Sequence, residues 1–284
     1  MPEVPDIELL KTEDERSAAG AARRFPRAVL VVFLVALAAA GGYFLFRPAP
    51  KPAEPAETRK QVEVSRRDVP LGGEPEAIEV PPLDASDALV RELVPRLSSQ
   101  PGVAAWLTTT GLIRNFTVVV ANIAEARTPA VHLGTLRPAT RFQVVQRADG
   151  LYIDPRSYER FDRVAAAAAS IDPAGASRLY ATLKPRIEEA YRELGAPDGT
   201  FDRALERAIV VLLKTPVIDE PIRVEPQGGT GFAYASPELE ALSAPQKQLL
   251  RAGPRNVRTI QSALRLIATA LGIPEDRLPP PASH

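Results

Sequence analysis

The segment DPAGASRLYATLKPRIEEAYRELG, residues 172–195, carries the clearest secondary-structure signal in the chain. Asp172 followed by Pro173 is a typical helix start, and Gly195 is a typical helix stop. Between them apolar residues recur at spacings of three and four, which predicts one long amphipathic helix with a kink at Pro185. Such a helix needs other helices to cover its apolar face. The apolar positions are Ala176, Leu179, Tyr180, Leu183, Ile187, Ala190, Tyr191 and Leu194.

The same periodicity recurs on both sides of this segment and predicts a mainly α, helical bundle-like domain. Further amphipathic helices are predicted over residues 89–97, 112–123, 201–213 and 257–271.

Strand-like sequence is confined to two places, each of which predicts a small β-hairpin. The first pairs residues 142–145 with 151–153, and the second pairs 222–224 with 232–234 around Gly228 and Gly229. Because an isolated hairpin is marginally stable, we expect the two to lean on the helices or to join in one sheet. The sequence leaves these alternatives open.

Residues 28–46 form an unbroken apolar run. As a helix this run would be roughly 28 Å long, close to the hydrocarbon thickness of about 30 Å, so it predicts a single transmembrane helix acting as a signal anchor. Residues 1–27 form a tail of mixed acidic and basic character. Close to the run this tail carries Arg23, Arg24 and Arg27, which favour a cytoplasmic N-terminus and a periplasmic C-terminal domain at a bacterial inner membrane. The alternative is a signal peptide cleaved near Ala40, which would release the protein.

Proline punctuates residues 47–82, which predicts a disordered linker between the span and the folded region. The periodic segments then place a soluble helical domain over residues 83–273. We expect the last residues, 274–284, to form a disordered tail.

The composition argues against several classes of site. The chain has no cysteine, which excludes disulfides, zinc–thiolate sites and thiol nucleophiles. Its histidines are His132 and His284, and it contains no nucleophile elbow, HExxH pair or Walker loop. With 35 basic and 35 acidic residues, it has no net field to attract a polyanion. We therefore expect no catalytic site, no cofactor, no metal site and no nucleic-acid partner.

Candidate binding residues come from two segments, residues 158–162 and residues 240–251. In the segment 240–251, Glu240, Lys247 and Arg251 are spaced seven and four residues apart. They would share a helix face if the short helices begun by Ser236 and Ser243 run nearly continuously. A solvated stripe of salt bridges is the alternative use of this face. In the segment 158–162, Arg160 belongs to a row of arginines that could bind a carboxylate or a phosphate. The candidate partner-binding or ligand-binding residues are Tyr158, Arg160, Asp162, Glu240, Lys247 and Arg251.

Four ordered sequence blocks carry a family resemblance. They are LDASD at residues 83–87, SYERFD at 157–162, AYRELG at 190–195 and FAYASPELEALSAPQKQLLRAGP at 232–254. Together they resemble the bacterial DUF3014 family over essentially residues 83–271, apart from Ser236, where Asp is usual, and Ala252, where Met is usual. The resemblance implies an envelope-anchored architecture and no known activity.

The anchor, the linker and the lack of catalytic histidine or cysteine favour a periplasmic interaction or scaffold domain with a protein partner in the envelope. One alternative is an envelope hydrolase or glycan-modifying enzyme that uses carboxylates alone, with Glu240, Asp162 and Asp84 as candidate acids and bases. Another is a sensor that signals to the acidic residues 1–20.

Overall fold

The computed structural model describes residues 70–136, 138, 140–195, 199–227 and 231–281. The predicted N-terminal tail, the predicted span at 28–46 and most of the predicted linker lie outside these residues, as do Gly228, Gly229 and His284. Within the described ranges, no helix has the length and apolar character needed to cross a bilayer.

The described part of the chain is mainly helical and contains one small antiparallel sheet, which confirms the predicted fold class at this level. Every predicted amphipathic segment coincides with a helix. The helices are α1 Asp87–Leu93, α2 Pro101–Trp106, α3 Leu112–Ala124, α4 Arg156–Glu159, α5 Asp162–Ala169, α6 Pro173–Glu193, α7 Phe201–Leu213, α8 Pro237–Glu240, α9 Ala244–Leu250 and α10 Pro254–Ala270. Short 3₁₀ turns cover Leu83–Ala85, Val94–Arg96, Ala130–Leu136 and Glu275–Arg277.

Helix α6 begins as its sequence predicts. The Asp172 carboxylate accepts a hydrogen bond of 2.8 Å from the backbone N–H of Gly175, and Pro173 occupies the first turn, where its missing N–H costs nothing. The helix continues through Pro185 to Glu193. Its apolar face packs with α3, α7 and α10 in the main core, which includes Phe201, the first residue of α7, with its side chain fully shielded from solvent. The ring centroids of Phe116 and Tyr191 lie 5.7 and 5.5 Å from that of Phe201.

The two predicted hairpins join in one antiparallel sheet of order β1-β2-β3-β4. Leu151 of one hairpin pairs with Val224 of the other, so the central strands come from separate parts of the chain. One sheet face and the helix α9 enclose a second apolar core that includes Ile153 and Leu250. The strands are β1 Val144–Arg147, β2 Gly150–Ile153, β3 Arg223–Gln227 and β4 Gly231–Tyr234.

The predicted domain boundary at residue 83 is too late, because residues 70–82, which we call the strap, lie along the helical core. Leu71 is buried, and its N–H donates to Asp202 across 3.0 Å. The N–H of Gly72 donates to the carbonyl of Leu271, and Arg186 donates to the carbonyls of Val80 and Pro81. The prolines keep the strap extended, and side chains of the helices satisfy its backbone.

The predicted boundary at residue 273 is too early for a similar reason. Leu278 is buried in the helical core, although it lies in the predicted disordered tail. Arg265 forms an ion pair of 3.0 Å with Glu275 and donates to the carbonyl of Pro279. The buried Leu278 side chain and the contacts of Arg265 together hold this short segment against α10.

Candidate functional site

Two of the predicted site residues, Arg160 and Arg251, approach the same aromatic ring, and we call them the arginine pair. Arg160 caps the C-terminus of α4, and Arg251 caps that of α9. Their guanidinium carbons lie 5.5 and 5.9 Å from the ring centroid of Phe142, immediately before β1. The fold therefore brings together two sequence blocks that lie far apart in the chain.

Arg160 is held by backbone carbonyls and aromatic rings. Its Nε donates to the carbonyl of Ser157 across 2.8 Å, and Nη1 donates to that of Thr140 across 3.1 Å. Its guanidinium also lies 5.2 Å from the ring centroid of Phe161. Burial, followed by the positive charge of Arg251, lowers the pKa of the Arg160 guanidinium. The two cations are thus close enough to repel each other.

Arg251 has an environment of the same kind. Its Nη2 donates to the carbonyl of Phe232 across 3.1 Å, and the guanidinium lies 5.9 Å from the ring centroid of Tyr234. Considering only the described residues, neither member of the arginine pair has a carboxylate within ion-pair distance. Arg160 and Arg251 are therefore half-buried cations without a carboxylate in direct contact in this part of the chain, although the Arg251 charge helps to lower the pKa of the nearby Glu240 carboxyl.

Glu240 and Lys247 act differently from Arg251, although all three were predicted to share one face. Lys247 Nζ lies 2.7 Å from Glu240 Oε1, and the other carboxylate oxygen accepts the N–H of Tyr234 across 2.9 Å. The hydrogen bond from Lys247, followed by that from Tyr234, lowers the pKa of the Glu240 carboxyl. These two side chains bind each other and the end of β4, which makes them structural.

Tyr158 and Asp162 are also tied into the fold. Both accept hydrogen bonds from the Asn256 side chain, at 3.0 Å to the Tyr158 carbonyl and 2.9 Å to the Asp162 carboxylate. The Tyr158 ring packs on Gly253, where a Cβ would lie only 2.4 Å from the ring. Burial raises the pKa of the Tyr158 hydroxyl. Asn256 was not predicted as a site residue, and its only sequence signal is an amide next to the buried stripe of α10.

The carboxylates of the hydrolase alternative each have a partner. Asp84 lies 2.7 Å from Arg114, Glu240 binds Lys247, and Asp162 binds Asn256. The described residues contain no group of three or more His, Cys, Asp or Glu side chains that could hold a metal ion.

A cleft of about 590 Å³ opens between α3 and α6, and it contains none of these three carboxylates. Its arginine, Arg114, is paired with Glu193 through bonds of 2.6 and 2.9 Å, and hydrogen bonds from Glu193 and then Asp84 raise the pKa of the guanidinium. Asn115 Oδ1 is buried there without a hydrogen-bond partner in the described part of the chain. The cleft is therefore mixed in polarity, with its charges already neutralised.

Comparison with known proteins identifies one family. A family model described as "Protein of unknown function (DUF3014)" matches residues 112–268, from the start of α3 almost to the end of α10. No curated protein and no solved structure matches the chain. The matched region contains the arginine pair and the other four candidate binding residues, but not Asp84.

Proposed function

The chain belongs to the DUF3014 family, whose function is unknown, and from this premise we propose that it is a membrane-anchored interaction module of the bacterial envelope. In this proposal the arginine pair holds an acidic segment of a protein partner. The apolar run at residues 28–46 and the arginines before it support the anchor.

The arginine pair is the observation that carries the proposal. Two like charges that approach the same ring and are partly removed from water destabilise each other: burial, and then the charge of Arg251, lowers the pKa of Arg160. An anion placed between them would convert that repulsion into two charge-assisted hydrogen bonds. Carbonyls and rings fix both guanidiniums, so little side-chain freedom would be lost on binding.

Unused donors favour a carboxylate as that anion. Within the described structure, Arg160 Nη2 donates no hydrogen bond, and the five N–H groups of Arg251 outnumber its bonds to the Phe232 carbonyl and the Tyr234 side chain. A planar guanidinium with adjacent N–H groups matches the two oxygens of Asp or Glu. The neighbouring rings of Phe142 and Phe161 supply the apolar and aromatic surroundings typical of protein–protein interfaces.

The overall charge supports a protein partner over a polyanion. A nucleic acid or an anionic membrane surface is held by many cations spread over a broad face. Here 35 basic residues are balanced by 35 acidic ones. One pair of arginines without carboxylates suits a short acidic stretch.

The experiment is photo-crosslinking in cells with the full-length protein. A crosslinking amino acid replaces Arg141, which is exposed just before β1, and in a second strain it replaces Ser262, which is exposed on α10. We expect position 141 alone to capture one specific protein, with the crosslink mapping to a segment rich in Asp and Glu. Arg160→Gln together with Arg251→Gln should abolish that product.

Arg192→Gln is the matched control, because it removes one exposed arginine from α6, remote from the sheet. It should leave the crosslink intact. A product that survives the double substitution, or the same products at both positions, would contradict the proposal. A crosslink to lipid or glycan, without one to an acidic protein segment, would show that the partner is not a protein.

A further inference from the structure

The two edges of the sheet differ in how their backbone groups are satisfied. At β4, the N–H of Ala235 faces β3, where it donates to Arg223, so the backbone groups of Phe232 and Tyr234 face outward. The Tyr234 N–H donates to Glu240, and the Phe232 carbonyl accepts from Arg251. Side chains therefore cover this edge, as proteins commonly do to prevent unwanted pairing.

The edge at β1 lacks such a cover. The carbonyl of Gln143 faces β2, where it accepts from the N–H of Asp154, so by the alternation of an antiparallel ladder Val144 and Gln146 face outward. Among the residues that the structure describes, no group bonds the backbone N–H or carbonyl of either one. The backbone N–H and carbonyl groups of Val144 and Gln146 are thus unpaired along this edge strand in the described part of the fold.

An arginine lies at each end of this edge, and at the Arg147 end Asp149, which accepts a hydrogen bond from the Tyr152 hydroxyl, lies near as well. At its start, Arg160 donates to Thr140 and lies over the ring of Phe142. At its end, Arg147 lies over the ring of Tyr152, with 4.7 Å between the guanidinium carbon and the ring centroid. Strand β1 itself, with the sequence VVQR, has no acidic residue.

We infer that an extended acidic segment of the partner pairs with β1 as a fifth strand of the sheet. The backbone groups of Val144 and Gln146 would form the ladder, and carboxylates of the segment would reach the arginines at the two ends. Adding a strand to an exposed sheet edge is a common mode of peptide recognition, in which main-chain bonds give affinity and side chains give specificity. This inference rests on the proposed function and specifies how the partner is bound.

The test uses three synthetic peptides of about eight residues, slightly longer than a typical strand of about 5–6. The first alternates Glu with Val, the second has Gln in place of Glu, and the third keeps Glu but carries N-methyl groups on alternate amides. Binding to the full-length protein is measured by calorimetry. We expect the first peptide to bind and each of the others to bind about tenfold more weakly or worse.

Hydrogen exchange gives a direct reading of the ladder. The amides of Val144 and Gln146 should exchange quickly in the unliganded protein and be protected about tenfold or more by the first peptide. The amide of Val145, which already faces β2, should change little. Protection elsewhere without protection at Val144 and Gln146 would overturn the inference.

Two substitutions separate this inference from the proposed function. Gln146→Pro removes one outward N–H at an edge position that tolerates proline, and Gln146→Ala is its control because it keeps the N–H. We expect Gln146→Pro to weaken binding of the first peptide about tenfold and Gln146→Ala to have little effect. If Gln146→Pro folds poorly, the hydrogen-exchange result on the unaltered protein decides.

The possible failures can be distinguished. If Gln146→Pro binds normally while Arg160→Gln with Arg251→Gln does not, the arginine pair is the binding site but the partner adds no strand. If none of these substitutions affects binding of the first peptide, both the inference and the proposed function are wrong.

Discussion

At the scale of single residues, Asn256 joins parts of the chain that are distant in sequence. It is 5% exposed and lies in the first part of α10. Its amide donates to the carbonyl of Tyr158, to the carboxylate of Asp162 and, across 3.0 Å, to the carbonyl of Ala252. It therefore fixes the turn that carries Arg160 against the start of α10.

We predict that Asn256→Ala lowers the free energy of unfolding by about 2 to 4 kcal/mol, because it breaks a buried hydrogen-bond network and leaves acceptors unpaired. Urea unfolding followed by circular dichroism measures the loss. Ser262→Ala, on the exposed face of the same helix, is the control and should change stability by at most about 0.5 kcal/mol. Equal losses in the two variants would contradict this role of Asn256.

Local regularities of the candidate site could be predicted from sequence. The capping box between Ser243 and Gln246 follows from their spacing and is confirmed at the start of α9. The meeting of Arg160 with Arg251 does not follow from any spacing, since it depends on how α4 and α9 pack on the sheet. The use of Glu240 to cover the β4 edge was also missed, because the spacing analysis assigned Glu240 to a helix face and not to the strand that ends six residues before it.

At the scale of elements, one carboxylate organises the contacts at the start of the strap. Asp202 accepts from the N–H of Leu71, from Lys184 across 2.6 Å and from the Tyr180 hydroxyl across 2.5 Å. Lys184 also donates to the carbonyl of Leu71. The network binds the strap to α6 and α7 where its chain first meets the domain.

We predict that Asp202→Asn loosens the strap, because the substitution removes the charge that pairs with Lys184 and one of its strong acceptors. The backbone amides of Leu71 and Gly72 should exchange about tenfold faster with solvent, which mass spectrometry or NMR can measure. Asp276→Asn, at an exposed site, is the control. Unchanged protection of Leu71 in Asp202→Asn would show that apolar burial alone holds the strap.

The elements differ in how well sequence predicted them. Amphipathic helices have a periodicity of their own, so α3, α6, α7 and α10 were found with accurate bounds. The strap has no periodicity, and its prolines resemble those of a linker, so its packing was missed. The union of the two hairpins could not be inferred, because the pairing of β2 with β3 joins separate regions of the chain.

At the scale of the whole molecule, burial affects three tyrosines in both apolar cores. It is the largest cause that raises the pKa of Tyr234 to about 12, and it also raises the pKa of Tyr158 and of Tyr180. An unfolded tyrosine ionises near pH 10. Because the folded pKa values lie above the unfolded value, this stabilisation is complete below about pH 10 and is lost as pH rises through the folded values.

We predict that the free energy of unfolding falls between about pH 10 and pH 12, with each buried tyrosine contributing up to about 1.4 kcal/mol per pH unit. Urea unfolding at a series of pH values measures the slope, and near-ultraviolet absorbance of tyrosinate reports the ionisation. The free energy of unfolding of the Tyr234→Phe variant should fall less steeply with pH than that of the unaltered protein. An identical slope in the two proteins would show that ionisation of Tyr234 does not cause this loss of stability.

The path of the strap also determines how the domain would bear tension. Backbone groups at residues 73, 76 and 80–81 bond in turn to Ser177, Thr182 and Arg186, so this part of the strap follows α6 in the direction of its C-terminus. A pull on Pro70, the first residue that the structure describes, along the axis of α6 would load all of these bonds at once. A pull across that axis would load the bonds at Leu71 first and then the others in turn. The junction between the preceding chain and the domain would thus yield at a lower force to sideways pulling than to axial pulling.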